Sequence, residues 1–416
     1  MSGPFPPASS GGGNPFENLF AQLGRLFSAE GPVNWELARQ LAQWAAAEGA
    51  EVGNVDPLER MRLEELVRVA DLQVADVTGL STSTTGRAVT VRPVNRPDWA
   101  TATLEAWKPL LTALAVALQP EIPGGSDLSD PSGLSGLAGL FGPTGGDDPS
   151  APPGDPASLL GPLLPALQSA FLGMQAGSMV GSLAQRALGQ YDLPIPRPPS
   201  DEVLVVAQNV SSFAADWSLP VDDVRLWVCL SEVAHHAVLG RPHVREALDS
   251  LLMAYVSGFD PSAASLEERL AGVDPTDPSS LQDALGDPGA LLGEIQTDEQ
   301  RRLQPRLEAL VAVIEGYVDH VVDVAGSRLM GSHGQLTEAL RRRRVERGQG
   351  ERMIERLLGV ELREEQYALG TTFVSGVVER AGDGALARLW TEAHALPTPA
   401  EVAAPGLWLE RIDLPR

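Results

Sequence analysis

The spacing of apolar residues predicts helices along most of the chain. Apolar side chains recur every three or four residues in NWELARQLAQWAAAEG (34–49) and in PLERMRLEELVRVADLQVADVTGL (57–80). The same period returns in RPDWATATLEAWKPLLTALAVAL (96–118). Asn34 opens the first of these segments, where its side chain can accept a hydrogen bond from an unpaired amide of the first turn. The N-terminal third is therefore predicted to be mainly helical.

Two segments have the pattern of strands instead. RAVTVRPVN (87–95) alternates β-branched and polar residues, as a short strand does. Residues 203–207 form a nearly continuous apolar run, which is typical of a strand buried on both faces. A further helix is predicted soon afterwards, because Pro220 suits a first helical turn and Asp222 and Asp223 suit its positive end.

Stretches rich in Gly, Pro, Ser and Asp divide the chain into four parts. Residues 1–30 are predicted to be a flexible tail, and 31–120 a helical region with one short strand. Residues 121–156 carry too little apolar surface to offset the entropy of ordering them, so they are predicted to be a disordered insertion. Residues 157–416 are predicted to form the largest domain, in a mostly helical α+β protein.

The uncharged segment 157–185 raises the question of a membrane span. It is long enough to cross a bilayer, and glycines four residues apart allow close helix packing there (Gly173, Gly177, Gly181). Two prolines and several glutamine and serine side chains interrupt it, however. A buried helix pair without stable membrane insertion is the preferred interpretation.

Composition and charge limit the classes of function that are possible for this chain. With 416 residues, 43% of them hydrophobic, the chain can bury a sizeable core. The only cysteine, Cys229, excludes an intrachain disulfide, and no secretory signal is recognisable at the start, so a cytoplasmic location is expected. A net charge of -24 argues against nucleic-acid binding, which needs clustered basic residues. Glutamates follow the one basic run, Arg341–Arg344, which is therefore predicted to be a solvated helical face.

The segment LWVCLSEVAHHAVL (226–239) carries half of a metal-binding motif. In HExxH, two histidines four residues apart share a helix face and bind one zinc ion, while the glutamate polarises a bound water. Here Ser231 replaces the first histidine, His235 matches the second, and Glu232 has the position of the general base. A Glu-x-x-His pair is also common in ordinary helices, so His235 and His236 can equally be core residues.

A second segment, LVAVIEGYVDHVVD (310–323), places acidic residues in an apolar helix. Glu315 and Asp319 are four residues apart and share a face, and His320 follows them. Buried carboxylates need a partner. This ExxxD spacing is the arrangement by which Glu-type zincins supply a third zinc ligand and a carboxylate that orients a ligating histidine.

Together with SMVGSLAQRALGQYDLP (178–194), these two segments resemble the zincin-like metallopeptidases. They more closely resemble an actinobacterial family described as hydrolases or zinc-dependent metalloproteases, some members of which are labelled coenzyme F420 biosynthesis-associated. The resemblance covers residues 157–416. It implies a zincin-like domain with a short β-sheet and two motif helices.

The resemblance also implies roles for individual residues. His235 and Glu315 match zinc ligands, Glu232 matches the general base, and Asp319 matches the orienting carboxylate. Ser231 stands at the degenerate ligand position. A serine hydroxyl is a poor zinc donor, so two good ligands remain where a catalytic Zn²⁺ needs three. His236 and His320 are candidate substitute ligands in a rearranged site, although each points away from the neighbouring motif residue.

Two functions follow from the resemblance. The first is a zinc-dependent metallopeptidase, weakened by Ser231, whose peptide substrate lies extended along an edge strand within Glu202 to Val210. The second is a catalytically inactive zincin-fold protein that binds a peptide or protein partner or acts as a scaffold. A third interpretation is a buried hydrogen-bond network with no ligand at all.

Overall fold

The computed structural model describes residues 31–49, 52–119, 164–259, 296–361 and 363–414. The protein is mostly helical with a small parallel sheet, which confirms the predicted α+β class. The predicted tail, 1–30, and the predicted insertion, 121–156, lie outside the described residues.

The N-terminal region contains the predicted helices and strand. They are α1 (Trp35–Ala46), α2 (Pro57–Thr78), β1 (Thr90–Val94) and α3 (Arg96–Ala117). Asn34 caps α1 as expected, because its Oδ1 accepts the amide of Leu37 at 3.0 Å. Asn95 lies between β1 and α3 and caps α3 in the same way, because its Oδ1 accepts the amide of Asp98 at 2.9 Å.

The remaining elements continue the helical architecture. They are α4 (Leu164–Ala184), β2 (Glu202–Val206), α5 (Ala207–Asp216), α6 (Val221–Leu239), α7 (Pro242–Ser257), α8 (Asp298–Gly326), α9 (His333–Val345), α10 (Gln349–Leu357), α11 (Glu364–Ala381), α12 (Pro399–Ala403) and α13 (Pro405–Asp413), with 3-10 helices at Asp383–Trp390 and Ala393–Ala395. In the described part of the chain, no helix is sufficiently long and apolar to span a bilayer.

The chain divides into two compact units. Among the described residues, the smaller contains 31–38 and 164–174, and the larger contains 39–49, 52–119, 175–259, 296–361 and 363–414. The larger unit holds both strands and the two motif helices, α6 and α8.

Within the smaller unit, the start of α1 lies against α4. The Asn34 amide donates to the Ser169 carbonyl at 2.9 Å. A Cβ atom on Gly173 would lie 2.5 Å from the Asn34 carbonyl oxygen, so glycine permits this approach. A Cβ atom on Gly181 would likewise lie 2.8 Å from the Ala42 carbonyl oxygen, so two of the three spaced glycines of α4 permit close backbone packing.

In the larger unit, β1 and β2 pair in parallel, from Thr90 opposite Glu202 to Val94 opposite Val206. Helix α5 starts directly after β2, at Ala207, so the strand is shorter than its apolar run. The pairing joins the segment 31–120 to the segment 157–416 in one sheet. The two predicted regions thus share the structural framework of the site.

The second edge of β2 is also paired. Gly189 forms an antiparallel bridge with Val205. The amide of Gln190 donates to the Leu204 carbonyl at 3.1 Å, and the amide of Val206 donates to the Leu188 carbonyl at 2.9 Å. The prediction of an edge strand within Glu202 to Val210 is therefore wrong, because β2 is paired on both sides and a helix follows it.

Helix α6 runs through the core of the larger unit. All of its residues from Val228 to Leu239 are buried. Helix α8 contacts it and also packs closely on α11, where a Cβ atom on Gly370 would lie 2.0 Å from the Ala312 carbonyl oxygen. The motif side chains are therefore enclosed by helices and do not project from a surface loop.

Candidate functional site

The four polar motif residues of α6 are all buried. Ser231 is 8% exposed, and Glu232, His235 and His236 are less exposed still. Because polar groups in a protein interior need partners, their contacts decide what the site can do.

Helices α6 and α8 bring His235 and Glu315 together as the resemblance implies. The Nε2 atom of His235 lies 3.2 Å from Oε1 of Glu315. Its Nδ1 atom lies 2.9 Å from the Ser231 carbonyl oxygen, which can only accept, so Nδ1 carries a proton. The Ser231 hydroxyl is 3.5 Å from the same Nδ1. The Ser231 hydroxyl thus lies on the side of the His235 ring away from Glu315.

The second oxygen of Glu315 faces an arginine from α9. Arg344 Nη2 lies 3.5 Å from Glu315 Oε2, and the same guanidinium makes two hydrogen bonds to Asp319, of 2.6 and 2.8 Å. The ring of Tyr367 covers it, with the Arg344 Cζ atom 4.8 Å from the ring centroid. Asp319 is thus paired with Arg344, and the structure gives it no hydrogen bond to His235 within the described residues.

The electrostatics favour an ion pair between the two motif helices. Burial opposes the charged form of His235, but the hydrogen bond and charge of Glu315 outweigh it and raise the histidine pKa. Burial likewise opposes the charged form of Glu315, but His235 and then Arg344 hold its pKa below the ordinary value. His235, Glu315, Arg344 and Asp319 form a cluster, here called the ion cluster, with two positive and two negative charges.

Glu232 has different partners. Its carboxylate accepts the amide of Gln190 at 2.9 Å and the amide of Tyr191 at 3.2 and 3.3 Å. A Cβ atom on Gly189 would lie 2.2 Å from the carboxylate, so glycine allows the chain to pass directly against it. Burial raises the pKa of Glu232 to about 8, although the two amides act in the opposite direction. The predicted general base is engaged by backbone amides.

The candidate substitute ligands also face other groups. His236 Nδ1 lies 3.1 Å from the Tyr191 hydroxyl, and its buried Nε2 has no hydrogen-bond partner among the described residues. His320 Nε2 lies 3.2 Å from Asp383 Oδ1 in the 3-10 helix. A rearranged metal site built on either histidine gains no support from these contacts.

The side chains present do not fit a catalytic zinc centre. Such a centre needs three protein ligands with an open fourth position. Among the described residues, no group of three or more His, Cys, Asp and Glu side chains is placed to hold a metal ion. His235 and Glu315 remain as good donors, and the Arg344 guanidinium beside Glu315 repels a second cation.

The residue that the sequence analysis missed is Arg344. The basic run was predicted to be solvated, which is correct for Arg341 and Arg342 but wrong for Arg343 and Arg344. Arg343 donates to Asp192 at 2.7 Å, and Arg344 belongs to the ion cluster. The sequence carried a signal for Arg344, because the two carboxylates in the apolar helix, Glu315 and Asp319, require a cation.

Comparison with known proteins agrees with this fold. The sequence profile of the zincin-like metallopeptidases matches residues 33–409, so the chain belongs to that family. The match begins upstream of the segment 157–416 on which the resemblance rested, and it includes the N-terminal helices and β1.

A solved structure has the same fold. It is the crystal structure of a "putative hydrolase with a novel fold" from Chloroflexus aurantiacus, which superposes with a TM-score of 0.58 at 24% sequence identity. The alignment covers 92% of this chain and 100% of that one. No curated protein sequence shows a significant match to the chain.

Proposed function

We propose that this protein is a non-catalytic member of the zincin-like metallopeptidase family that acts by binding a peptide or protein partner. The ion cluster is the observation that supports the proposal. Glu315, the expected zinc ligand, is neutralised by His235 on one oxygen and faces Arg344 on the other. Its charge is balanced by side chains of this chain.

The first supporting argument concerns the missing donor. Ser231 lies near Nδ1 of His235, whereas the nitrogen that faces Glu315 is Nε2. The Ser231 hydroxyl therefore does not replace the first imidazole of HExxH as a zinc donor beside Glu315.

The second supporting argument concerns competition with a proton. His235 Nδ1 donates to a carbonyl, so its Nε2 must also carry a proton to donate to ionised Glu315. A metal ion would have to displace that proton against the raised pKa of His235 and the charge of Arg344.

Zinc titration tests the proposal. Calorimetry should show no saturable zinc binding by the wild-type protein at micromolar concentrations, and Ser231→His should raise zinc affinity by about 100-fold or more, because it supplies a third donor. Ser182→His is the matched control, since it adds an imidazole at an exposed position of α4. Zinc binding by the wild type that equals that of Ser231→His would overturn the proposal.

A second candidate function is a metallopeptidase with a weakened site, acting on peptide or protein substrates. The observation that favours it is the convergence of His235 Nε2 and Glu315 Oε1 across two helices, at 3.2 Å, as ligands of one metal must converge. Hydrolysis of a fluorogenic peptide library by the zinc-supplemented protein would establish this function, provided that chelation and Glu232→Gln both abolish it. Absence of hydrolysis in the presence of excess zinc would reject it.

A further inference from the structure

Helix α2 has apolar side chains on two opposite faces. The inner face holds four buried apolar residues, which are Leu63, Val67, Ala70 and Val74. Through this face the helix contacts α6, β1 and α8. On the outer face, Leu58, Met61 and Leu72 are 67%, 57% and 70% exposed. A row of long apolar side chains at the surface is typical of an interaction site, whereas singly scattered ones are not.

The outer face has the spacing of a coiled-coil seam. Alternating steps of three and four residues connect six exposed positions, which are Leu58, Met61, Glu65, Arg68, Leu72 and Ala75. These steps are those of the a and d positions of a heptad repeat, which stay on one side of a helix. At 1.5 Å per residue the seam is about 27 Å long. Four of its positions are apolar, and the two in the middle are charged.

The two charged residues determine which way a second helix can run. Neither Glu65 nor Arg68 has an ion pair or hydrogen bond to another residue in the described part of the chain. In a parallel pair of α2 helices each residue faces its own copy, so like charges meet at both positions. In an antiparallel pair an a position faces a d position, so Glu65 of each copy faces Arg68 of the other.

The same antiparallel register also matches the apolar positions. In a two-fold pair, residue i contacts residue j of the other copy, and residue j contacts residue i in turn. With Glu65 opposite Arg68, Met61 lies opposite Leu72 and Leu58 lies opposite Ala75. Each of these contacts occurs twice per pair. The outer face of α2 is therefore complementary to itself in both charge and apolarity.

We infer that the outer face of α2 is a self-association surface, on which a second copy of this chain docks its own α2 in the antiparallel direction. The helix is already held by its inner face, so pairing requires no helix to form. One helix seam is small beside the roughly 800 Å² per partner of a standard interface. The dimer should therefore be reversible, with a dissociation constant on the order of 10 μM.

Sedimentation equilibrium of the full chain, from about 1 to 200 μM, measures this association. Leu72→Glu places a charge opposite Met61 and should weaken dimerisation at least about tenfold. Leu407→Glu is the matched control, because it makes the same change at a leucine of α13 that is 52% exposed and outside the seam. The control should dimerise like the wild type.

Charge changes test the middle of the seam. Glu65→Arg should weaken dimerisation at least about tenfold, because each substituted side chain then faces Arg68 of the other copy. Arg68→Glu should have a similar effect. The two changes combined in one chain exchange the charges and recreate both opposite pairs, so the dissociation constant should return to within about threefold of the wild-type value.

Disulfide formation tests the direction of pairing. Cys229, the only cysteine of the chain, is buried, so an introduced surface cysteine reacts alone. A mixture of Met61→Cys and Leu72→Cys chains should form a disulfide-linked dimer on mild oxidation, because these positions face each other. Either variant alone should not, since its two cysteines lie roughly 16 Å apart along the seam.

Three results would overturn the inference: a monomer at all concentrations, a Leu72→Glu dimer as tight as the wild type, or failure of the combined charge exchange to restore association. Disulfide-linked dimers of Met61→Cys alone or of Leu72→Cys alone would also overturn it, because they require another direction of pairing. Self-association goes beyond the proposed function and involves neither zinc nor a peptide, so either can fail without the other.

Discussion

Replacing Arg344 by methionine should destabilise the protein far more than a surface arginine replacement. The substitution removes two hydrogen bonds to Asp319, of 2.6 and 2.8 Å, and the charge that lies 3.5 Å from Glu315. Glu315 is 6% exposed, so its charge is poorly solvated when the guanidinium is gone. Breaking a buried pair by removing one partner costs roughly 3–5 kcal/mol.

The expected loss for Arg344→Met lies at the lower end of that range, about 3 kcal/mol, because His235 still neutralises Glu315. Arg344 and Asp319 side chains are also 24% and 30% exposed, which lets water replace part of the lost interaction. A loss of this size changes the unfolding equilibrium constant by about 150-fold. Urea unfolding at pH 7, followed by circular dichroism, measures it directly.

Two comparisons make the Arg344 prediction refutable. Arg341→Met alters the same helix at a side chain that is 65% exposed, so its urea midpoint should match that of the wild type. Arg344→Met combined with Asp319→Asn should cost less than the sum of the single changes, by about 1–2 kcal/mol, because the two residues interact. Equal effects of the two arginine changes, or strict additivity, would refute the ion cluster.

Two further predictions concern packing and pH. Gly370→Ala places a Cβ atom 2.0 Å from the Ala312 carbonyl oxygen and should lower the free energy of unfolding by about 1–3 kcal/mol. Gly334→Ala is the control and should be neutral, because a Cβ atom there meets nothing within 4 Å. Equal melting temperatures of the two variants would contradict the close packing of α8 on α11. Burial of Asp201 opposes ionisation, but bonds from Thr85 and Thr84 hold its pKa below the ordinary 3.8, so its stabilisation is complete above about pH 4 and is lost as the pH falls through the folded-state value. Asp201→Asn should therefore weaken the fall of the urea midpoint between about pH 4 and pH 2, and an unchanged fall would contradict this role.

Helices α1 to α3, α6 and α8 and both strands could be predicted from the sequence because they depend on local patterns, whereas the helix pair predicted within 157–185 is one continuous helix, α4, in its described part. The apolar period predicted α1 to α3, the Asn34 cap was correct, and β1 and β2 lie where the alternating and continuous apolar runs placed them. The meeting of His235 and Glu315 was implied by the resemblance and not by local pattern. Their contact spans 80 residues of sequence.

The rest depended on tertiary contacts that a local pattern does not contain. Arg341 and Arg344 have the same chemistry and nearly adjacent positions, but they point in different directions from α9, so only one belongs to the ion cluster. Leu188–Tyr191 has no strand pattern of its own, and its conformation follows from bonds to β2 and Glu232. Neither feature is visible without knowing which elements pack together.

The most direct test of the central claim is the metal content of the protein purified without chelator, measured by elemental mass spectrometry beside Glu315→Ala. If the ion cluster stands in place of a catalytic zinc centre, the wild type should contain far less than one zinc ion per chain, and Glu315→Ala should not differ from it. Nearly one zinc ion per chain in the wild type, lost in Glu315→Ala, would contradict the claim and establish Glu315 as a metal ligand.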